Sequence, residues 1–260
     1  MNGDRLRTRL HWLDDFTLEV DGVEFRLLTD PADMHRAGST PDSFVLGKNR
    51  TMVTDLLELD PETVATIVEL GIFKGGSVVL LEKLFHPRRL LCVDLLPDPV
   101  PALEHYLDDQ GLRDVIVPAY GTSQADRVAL GALLDEHVPA AGIDLAVDDA
   151  SHFYPESKVA FEIVFPRLRP GGIYILEDWG WAHWPGAWQE DDSPFGDRPF
   201  LSNLVFELVM LAASRPDLVS RVDVRPDMVW VHRGPETIGN TRFDLSTTYL
   251  SRGAPFLPMP

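Results

Sequence analysis

Five strand-length apolar runs, separated by four helix-like stretches, constrain this chain more than any other feature. The runs are TIVELG (66–71), RLLCVD (89–94), DVIVPA (114–119), IDLAVDD (143–149) and GIYILED (172–178). The helix-like stretches are 75–85, 98–110, 124–137 and 155–168. Strands that are apolar throughout are buried on both faces, and their alternation with helices implies a parallel sheet. Right-handed crossovers then give a doubly wound, Rossmann-like α/β sheet.

The flanks read differently. FTLEVDGVEFRLL alternates apolar and polar residues around Asp21-Gly22, a pair suited to a type I′ turn, and so predicts a β-hairpin. Residues 30–50 hold Pro, Gly, Ser and Asp without period and read as a loop or lid. After 178 comes a loop rich in Trp, Gly, Pro and Asp, then a helix over about 200–214. VSRVDV and DMVWVHR flank Arg225-Pro226 and read as an antiparallel pair. The expected organisation is an N-terminal hairpin and lid appendage (1–50), a central domain (51–235) and an irregular tail (236–260). The chain has 260 residues, room for one sizeable α/β domain or two small ones.

Charge excludes some partners. Forty-one acidic residues against 23 Lys and Arg give a net charge of −18, which argues against a general nucleic-acid binder and against attachment to anionic membranes. No apolar run approaches a membrane span, and the N-terminus lacks the apolar core of a secretory signal. Cys92, the single cysteine, sits in LLCVD and reads as a buried core residue; no disulfide scaffold or thiolate cluster can form within the chain. The expected location is cytoplasmic.

The first apolar run ends in VELGIFKGGS. Glu69, Gly71, Gly75, Gly76 and Ser77 therefore fall at a strand-to-helix turn, where glycine lets backbone approach a ligand and the helix N-terminus offers free N–H groups. The next run ends in Asp94, placed to take both hydroxyls of a ribose. A dinucleotide fingerprint needs glycine where Phe73 stands, and no Gly-Lys-Ser/Thr phosphate loop is present. GTSQAD (121–126) follows the third run; Ser123 there reads equally as a cofactor contact or as an ordinary helix-capping residue.

The fourth run ends in AVDDASH and the fifth in ILEDW. Asp149, Glu177 and Asp178 thus lie at the C-terminal strand edge, where open α/β sheets bind ligands. Neighbouring strands are about 5 Å apart, so three carboxylates would converge on the volume of one ion. Magnesium suits such a set because it accepts carboxylate, water and substrate oxygens. The alternative is that Glu177 and Asp178 are capping or loop acids. His152, three residues after Asp149, can face the same cavity and take a proton from a hydroxyl.

The turn VELGIFKGGS with Asp94 resembles the first motif of class I S-adenosylmethionine-dependent methyltransferases, over roughly residues 60–235. That resemblance implies that Glu69 lies near the methionine amino group and that Asp94 binds the ribose. It also puts the loop of Ser123 at the adenine and assigns Asp148 a cofactor contact. Asp149-x-x-His152 with Glu177-Asp178 is similar to the macrocin and mycinamicin sugar O-methyltransferase family, as is the intervening FPRLRPGGIYILED. The implied roles are magnesium ligation by Asp149, Glu177 and Asp178, with His152 as general base. Catechol O-methyltransferases share the acid spacing but carry lysine where His152 stands and Asp-Asn where Glu177-Asp178 stand.

Trp179, Trp181, Trp184 and Trp188 follow the expected metal ligands directly. Gly180, Pro185 and Gly186 argue against a helix there. Aromatic faces stack on sugar or polyketide rings, so the stretch reads as a substrate-facing lid; the alternative is an interface in a homo-oligomer. The leading expectation is an S-adenosylmethionine- and magnesium-dependent O-methyltransferase acting on a sugar hydroxyl of a glycosylated natural product. A catechol-type enzyme is an alternative, as is a methyltransferase-fold scaffold, cyclase or hydro-lyase. A nicotinamide oxidoreductase is disfavoured by Phe73.

Overall fold

The computed structural model describes residues 9–189, 196, 198–238 and 242–252. The chain divides into two compact units, Met1–Thr122 and Ser123–Pro260.

The first unit opens on a four-stranded sheet in the order β1-β2-β3-β4: β1 (Leu10–Trp12), β2 (Thr17–Val20), β3 (Val23–Leu27) and β4 (Ser43–Leu46). The β2-β3 turn is the expected one, with Asp21 at φ 46° and Gly22 at φ 80°. Leu18, Val20, Val23, Phe25 and Leu27 are the buried positions of the alternation. Residues 30–50 are not a simple loop. They hold α1 (Pro31–Arg36), β4 and the start of α2 (Arg50–Leu56). Both α1 and β4 are too short to show a period, and β4 is completed by parallel pairing with β3, which sets Phe44 opposite Phe25.

This sheet is packed into its unit. Gly76 opens α3 (Gly76–Phe85), and a Cβ there would stand 2.1 Å from the carbonyl oxygen of Val45 in β4. Phe44 meets Tyr106 of α4 (Pro101–Asp109) edge-on at 5.7 Å. Arg9 donates to the carboxylate of Asp21 in the hairpin turn and to the carbonyl of Lys83 in the last turn of α3. Three parallel strands complete the unit in the order β5-β6-β7: β5 (Thr66–Leu70), β6 (Arg89–Val93) and β7 (Ile116–Ala119). Cys92 is fully buried in β6, as expected, and burial pushes its thiol pKa well up, so it stays an inert core group.

In the second unit, α5 (Arg127–His137) precedes β8 (Ile143–Asp148), and α6 (Tyr154–Val164) links β8 to β9 (Leu168–Glu177). Then come α7 (Ser202–Ser214), β10 (Val219–Val224), β11 (Met228–Arg233) and the short α8 (Leu245–Thr248). β8 and β9 are parallel, whereas β11 pairs antiparallel with both β9 and β10. The strand pairs are thus mostly parallel with an antiparallel C-terminal hairpin, the α/β class implied by the apolar runs. Part of the expected irregular tail is ordered: the Leu245 N–H donates to buried Glu162, and the Tyr249 hydroxyl donates to buried Glu207. Among the described residues, no helix is long and apolar enough to cross a membrane.

Candidate active site

Two loops of the second unit carry the acids and the histidine. The first leaves β8 and runs Asp149-Ala150-Ser151-His152-Phe153 into α6; the second leaves β9 and runs Asp178-Trp179-Gly180-Trp181. They gather Asp149, His152 and Asp178, whose ligand-type atoms all lie within 4.8 Å of one another. All three are half-buried, and His152 Nε2 stands 3.9 Å from Asp149 Oδ1. His152 (φ 57°) and Asp178 (φ 53°) both adopt the left-handed conformation. That conformation costs an L-residue roughly 1–2 kcal/mol, so the surrounding structure must hold each in place.

The holding contacts are visible. The Asp178 N–H donates to the carbonyl of Asp227 at 2.9 Å, and Trp179 Nε1 donates to the carbonyl of Arg225 at 2.7 Å; both acceptors lie in the turn between β10 and β11. Trp181 Nε1 donates to the carbonyl of His152 at 2.8 Å. Of the three acids expected as ligands, Glu177 is not in the group. It is buried at the last position of β9, whereas Asp178 lies beyond the strand in the left-handed conformation.

Asp148 is buried at the end of β8. Burial pushes its carboxyl up to about 6, against the opposing hydrogen bond from the Tyr174 hydroxyl (2.8 Å). Its other oxygen accepts from Gln124 Nε2 at 3.2 Å, and Gln124 Oε1 accepts the N–H of Ser151 at 2.9 Å. Ser123 Oγ accepts the N–H of Ala125 within the loop before α5, whose N-cap is Asp126 and not Ser123. Gln124 and Tyr174 were not singled out from the sequence. The one signal was a tyrosine inside an apolar run, whose hydroxyl needs a partner when buried.

In the first unit, Glu69 is fully buried near the end of β5. The turn that follows has three residues at positive φ: Gly71 (102°), Phe73 (48°) and Gly75 (82°). Gly75 precedes α3, which has no side-chain cap at its N-terminus, and Ser77 lies in its first turn, half-buried. Asp94 organises this turn: Oδ2 accepts the N–H groups of Ile72 (2.8 Å) and Phe73 (3.0 Å), and Oδ1 accepts that of Leu96 (2.8 Å). A carboxylate has about four acceptor sites, so Asp94 keeps capacity for another donor.

Trp181 is 3% exposed and sits edge-on to Phe153 and Phe200. It therefore offers no open face to a substrate, unlike the sequence expectation. Trp179 and Trp184 are half-buried. The side chain of Trp188 lies outside the described residues.

Residues 68–179 match the protein family described as a methyltransferase domain. Relatives that match the chain include the 8-demethyl-8-alpha-L-rhamnosyl tetracenomycin-C 2'-O-methyltransferase of Streptomyces olivaceus, 31% identical over 48% of this chain. Demethylmacrocin O-methyltransferase of Streptomyces fradiae is 28% identical over 55% of this chain. The matches span 32% and 34% of those two proteins, so the chain accounts for about a third of the length of these curated relatives. Among solved structures, the O-methyltransferase TomG of Streptomyces achromogenes superposes with a TM-score of 0.53 at 18% identity, covering 80% of this chain and 92% of that one. The MycE methyltransferase of the mycinamycin pathway, solved with Mg, SAH and mycinamycin VI, gives 0.51 at 22% identity, covering 67% and 46%. These likenesses establish the methyltransferase fold. The domain's matched span contains Glu69, Asp94, Asp149, His152 and Asp178.

Proposed function

We propose that this chain is an S-adenosylmethionine-dependent O-methyltransferase that uses a divalent cation, with a sugar hydroxyl of a glycosylated natural product as acceptor. The observation that carries the reading is the group of Asp149, His152 and Asp178, with ligand-type atoms within 4.8 Å of one another, inside a methyltransferase domain.

The donor set fits a hard cation. Two half-buried carboxylates at this separation repel, and a divalent ion with oxygen preference removes that cost while leaving positions for water and a substrate oxygen. Asp149 and Asp178 would hold the ion, which would lower the pKa of a hydroxyl bound to it. Glu69 and Asp94 suit the ammonium and ribose of S-adenosylmethionine, which would supply the methyl group and leave as its thioether. His152 accepts the acceptor hydroxyl's proton at an imidazole nitrogen. No covalent bond to the protein is required. The half-buried Trp179 and Trp184 would line the acceptor. The names of the relatives, one naming a rhamnosyl tetracenomycin and the other demethylmacrocin, support the sugar class.

The test is transfer of labelled methyl from S-adenosylmethionine to a panel of glycosylated polyketides and simple catechols, with and without a chelator. Glycoside methylation that stops on chelation and in Asp149→Ala is expected. Transfer indifferent to both would refute the metal role, and a preference for catechols would refute the acceptor class.

A further inference from the structure

The tryptophan stretch contains a side chain whose geometry suits holding the site together rather than touching substrate. Trp181 starts three residues after Asp178 and reaches back to the other loop, where its indole N–H donates to the carbonyl of His152 at 2.8 Å. It thereby ties the loop that carries Asp178 to the loop that carries Asp149 and His152. The ring is 3% exposed and is fixed from two sides, by Phe153 at 6.5 Å and Phe200 at 5.7 Å, both nearly perpendicular to it.

The peptide it grips is the one that most needs gripping. His152 lies at φ 57°, a conformation rare for a side chain with a Cβ. If the His152 peptide rotated to an ordinary backbone conformation, the carbonyl would leave the indole N–H and the imidazole would leave the group within 4.8 Å of Asp149 and Asp178. The Phe153 ring that packs on Trp181 also carries the Arg198 guanidinium over it at 3.8 Å, so the clasp is braced from α6's entry as well.

We infer that Trp181 is a positioning residue: its indole N–H holds His152 in the left-handed conformation and so sets the spacing of the cation site. This rests on the metal reading proposed above. It assigns one member of the tryptophan stretch to the support of the site instead of to a lid.

The experiment measures manganese(II) affinity by titration calorimetry, without acceptor or turnover, on wild type, Asp149→Asn and Trp181→Phe. Phenylalanine keeps an aromatic ring at this buried position and removes the donor, together with part of the indole's volume. Every variant is read at a temperature where circular dichroism shows it folded. The expected result is about 10-fold or more weakening in Trp181→Phe, the scale of supporting-residue losses at metal sites, with S-adenosylhomocysteine affinity kept within about twofold. Should Trp181→Phe not fold, Trp181→3-benzothienylalanine, which replaces only the N–H by sulfur, carries the same comparison. If Asp149→Asn weakens manganese and neither Trp181 variant does, the positioning role is overturned while the metal reading stands. If wild type binds no manganese above Asp149→Asn, both fall together.

Discussion

Gln124 and Asp148 are joined by a hydrogen bond of 3.2 Å from Nε2 to Oδ1, and the same amide accepts the N–H of Ser151 at 2.9 Å. One buried side chain thus fixes both the acid at the end of β8 and the backbone of the loop that carries Asp149 and His152. Gln124→Leu keeps the volume and removes the amide's hydrogen bonds to Asp148, Ser151 and Ser157. A buried polar group left without its partner costs about 1–3 kcal/mol. The variant should lose about 2 kcal/mol in urea unfolding and bind manganese more weakly. Wild-type values for both would show that the amide is incidental.

The sheet-forming part of the fold was legible because each run from Thr66 to Asp178 is apolar throughout, and burial on both faces requires that pattern. The same logic misses β4: SFVL has four residues, and only parallel pairing with β3, set by tertiary contact, makes it a strand. In the site, Asp149, His152 and Asp178 could be read because strand ends converge at one edge. Trp181 could not, since an indole N–H bound to a carbonyl 29 residues back leaves no mark in spacing. Aromatic content there suggests a surface for rings, whereas packing against Phe153 and Phe200 buries it. Glu177, the last residue of β9, lies outside the group formed by Asp149, His152 and Asp178.

Asp178→Asn tests the charge of the site without disturbing its backbone, because asparagine tolerates the left-handed conformation that Asp178 adopts. Added magnesium should raise the melting temperature of the wild type by binding only the folded state. The variant should show little of that gain. In the presence of chelator it should melt at or slightly above the wild type, since one of two close carboxylates is neutral. An equal magnesium-induced rise in both proteins would contradict the role of Asp178.

Gly76→Ala probes the close approach of α3 to β4. The added Cβ would stand 2.1 Å from the Val45 oxygen, a backbone atom that cannot yield like a side-chain tip. Overpacking of this kind costs about 1–3 kcal/mol. The loss should appear in chemical unfolding although alanine is the better helix former. A stabilised variant would mean that the N-terminal sheet is not packed on α3.

The Arg9–Asp21 pair gives a pH test. The hydrogen bond from Arg9 holds the Asp21 carboxyl below its ordinary value, against partial desolvation. A carboxyl with a depressed folded-state pKa stabilises the fold above its unfolded value, about 3.9, and that contribution fades as pH falls through the folded one. Asp21→Asn suits the type I′ turn as well as aspartate does, so it isolates the charge. Wild type should be the more stable at pH 7, by a small margin given the pair's exposure, and the difference should fade in acid as pH falls through the lowered folded-state value. A difference that persists or grows in acid would assign it to turn geometry instead.

Glu207 supports the C-terminal segment from inside the second unit. It is 1% exposed on α7 and accepts hydrogen bonds from Tyr154 (3.0 Å), Tyr249 (2.9 Å) and Lys158 (2.7 Å); Lys158 also donates to Ser246. Glu207→Gln leaves the largely buried Lys158 without its counter-charge. Breaking a buried pair on one side costs about 3–5 kcal/mol, whereas replacing both members by groups of similar shape can be nearly neutral. The single variant should therefore unfold at markedly lower urea and lose hydrogen-exchange protection around Leu245–Tyr249. Adding Lys158→Met should restore more than half of the stability, because the uncompensated charge is gone. If the double variant is no more stable than Glu207→Gln, the loss comes from the tyrosine hydroxyls rather than the ion pair, and the segment is held by Tyr154 and Tyr249.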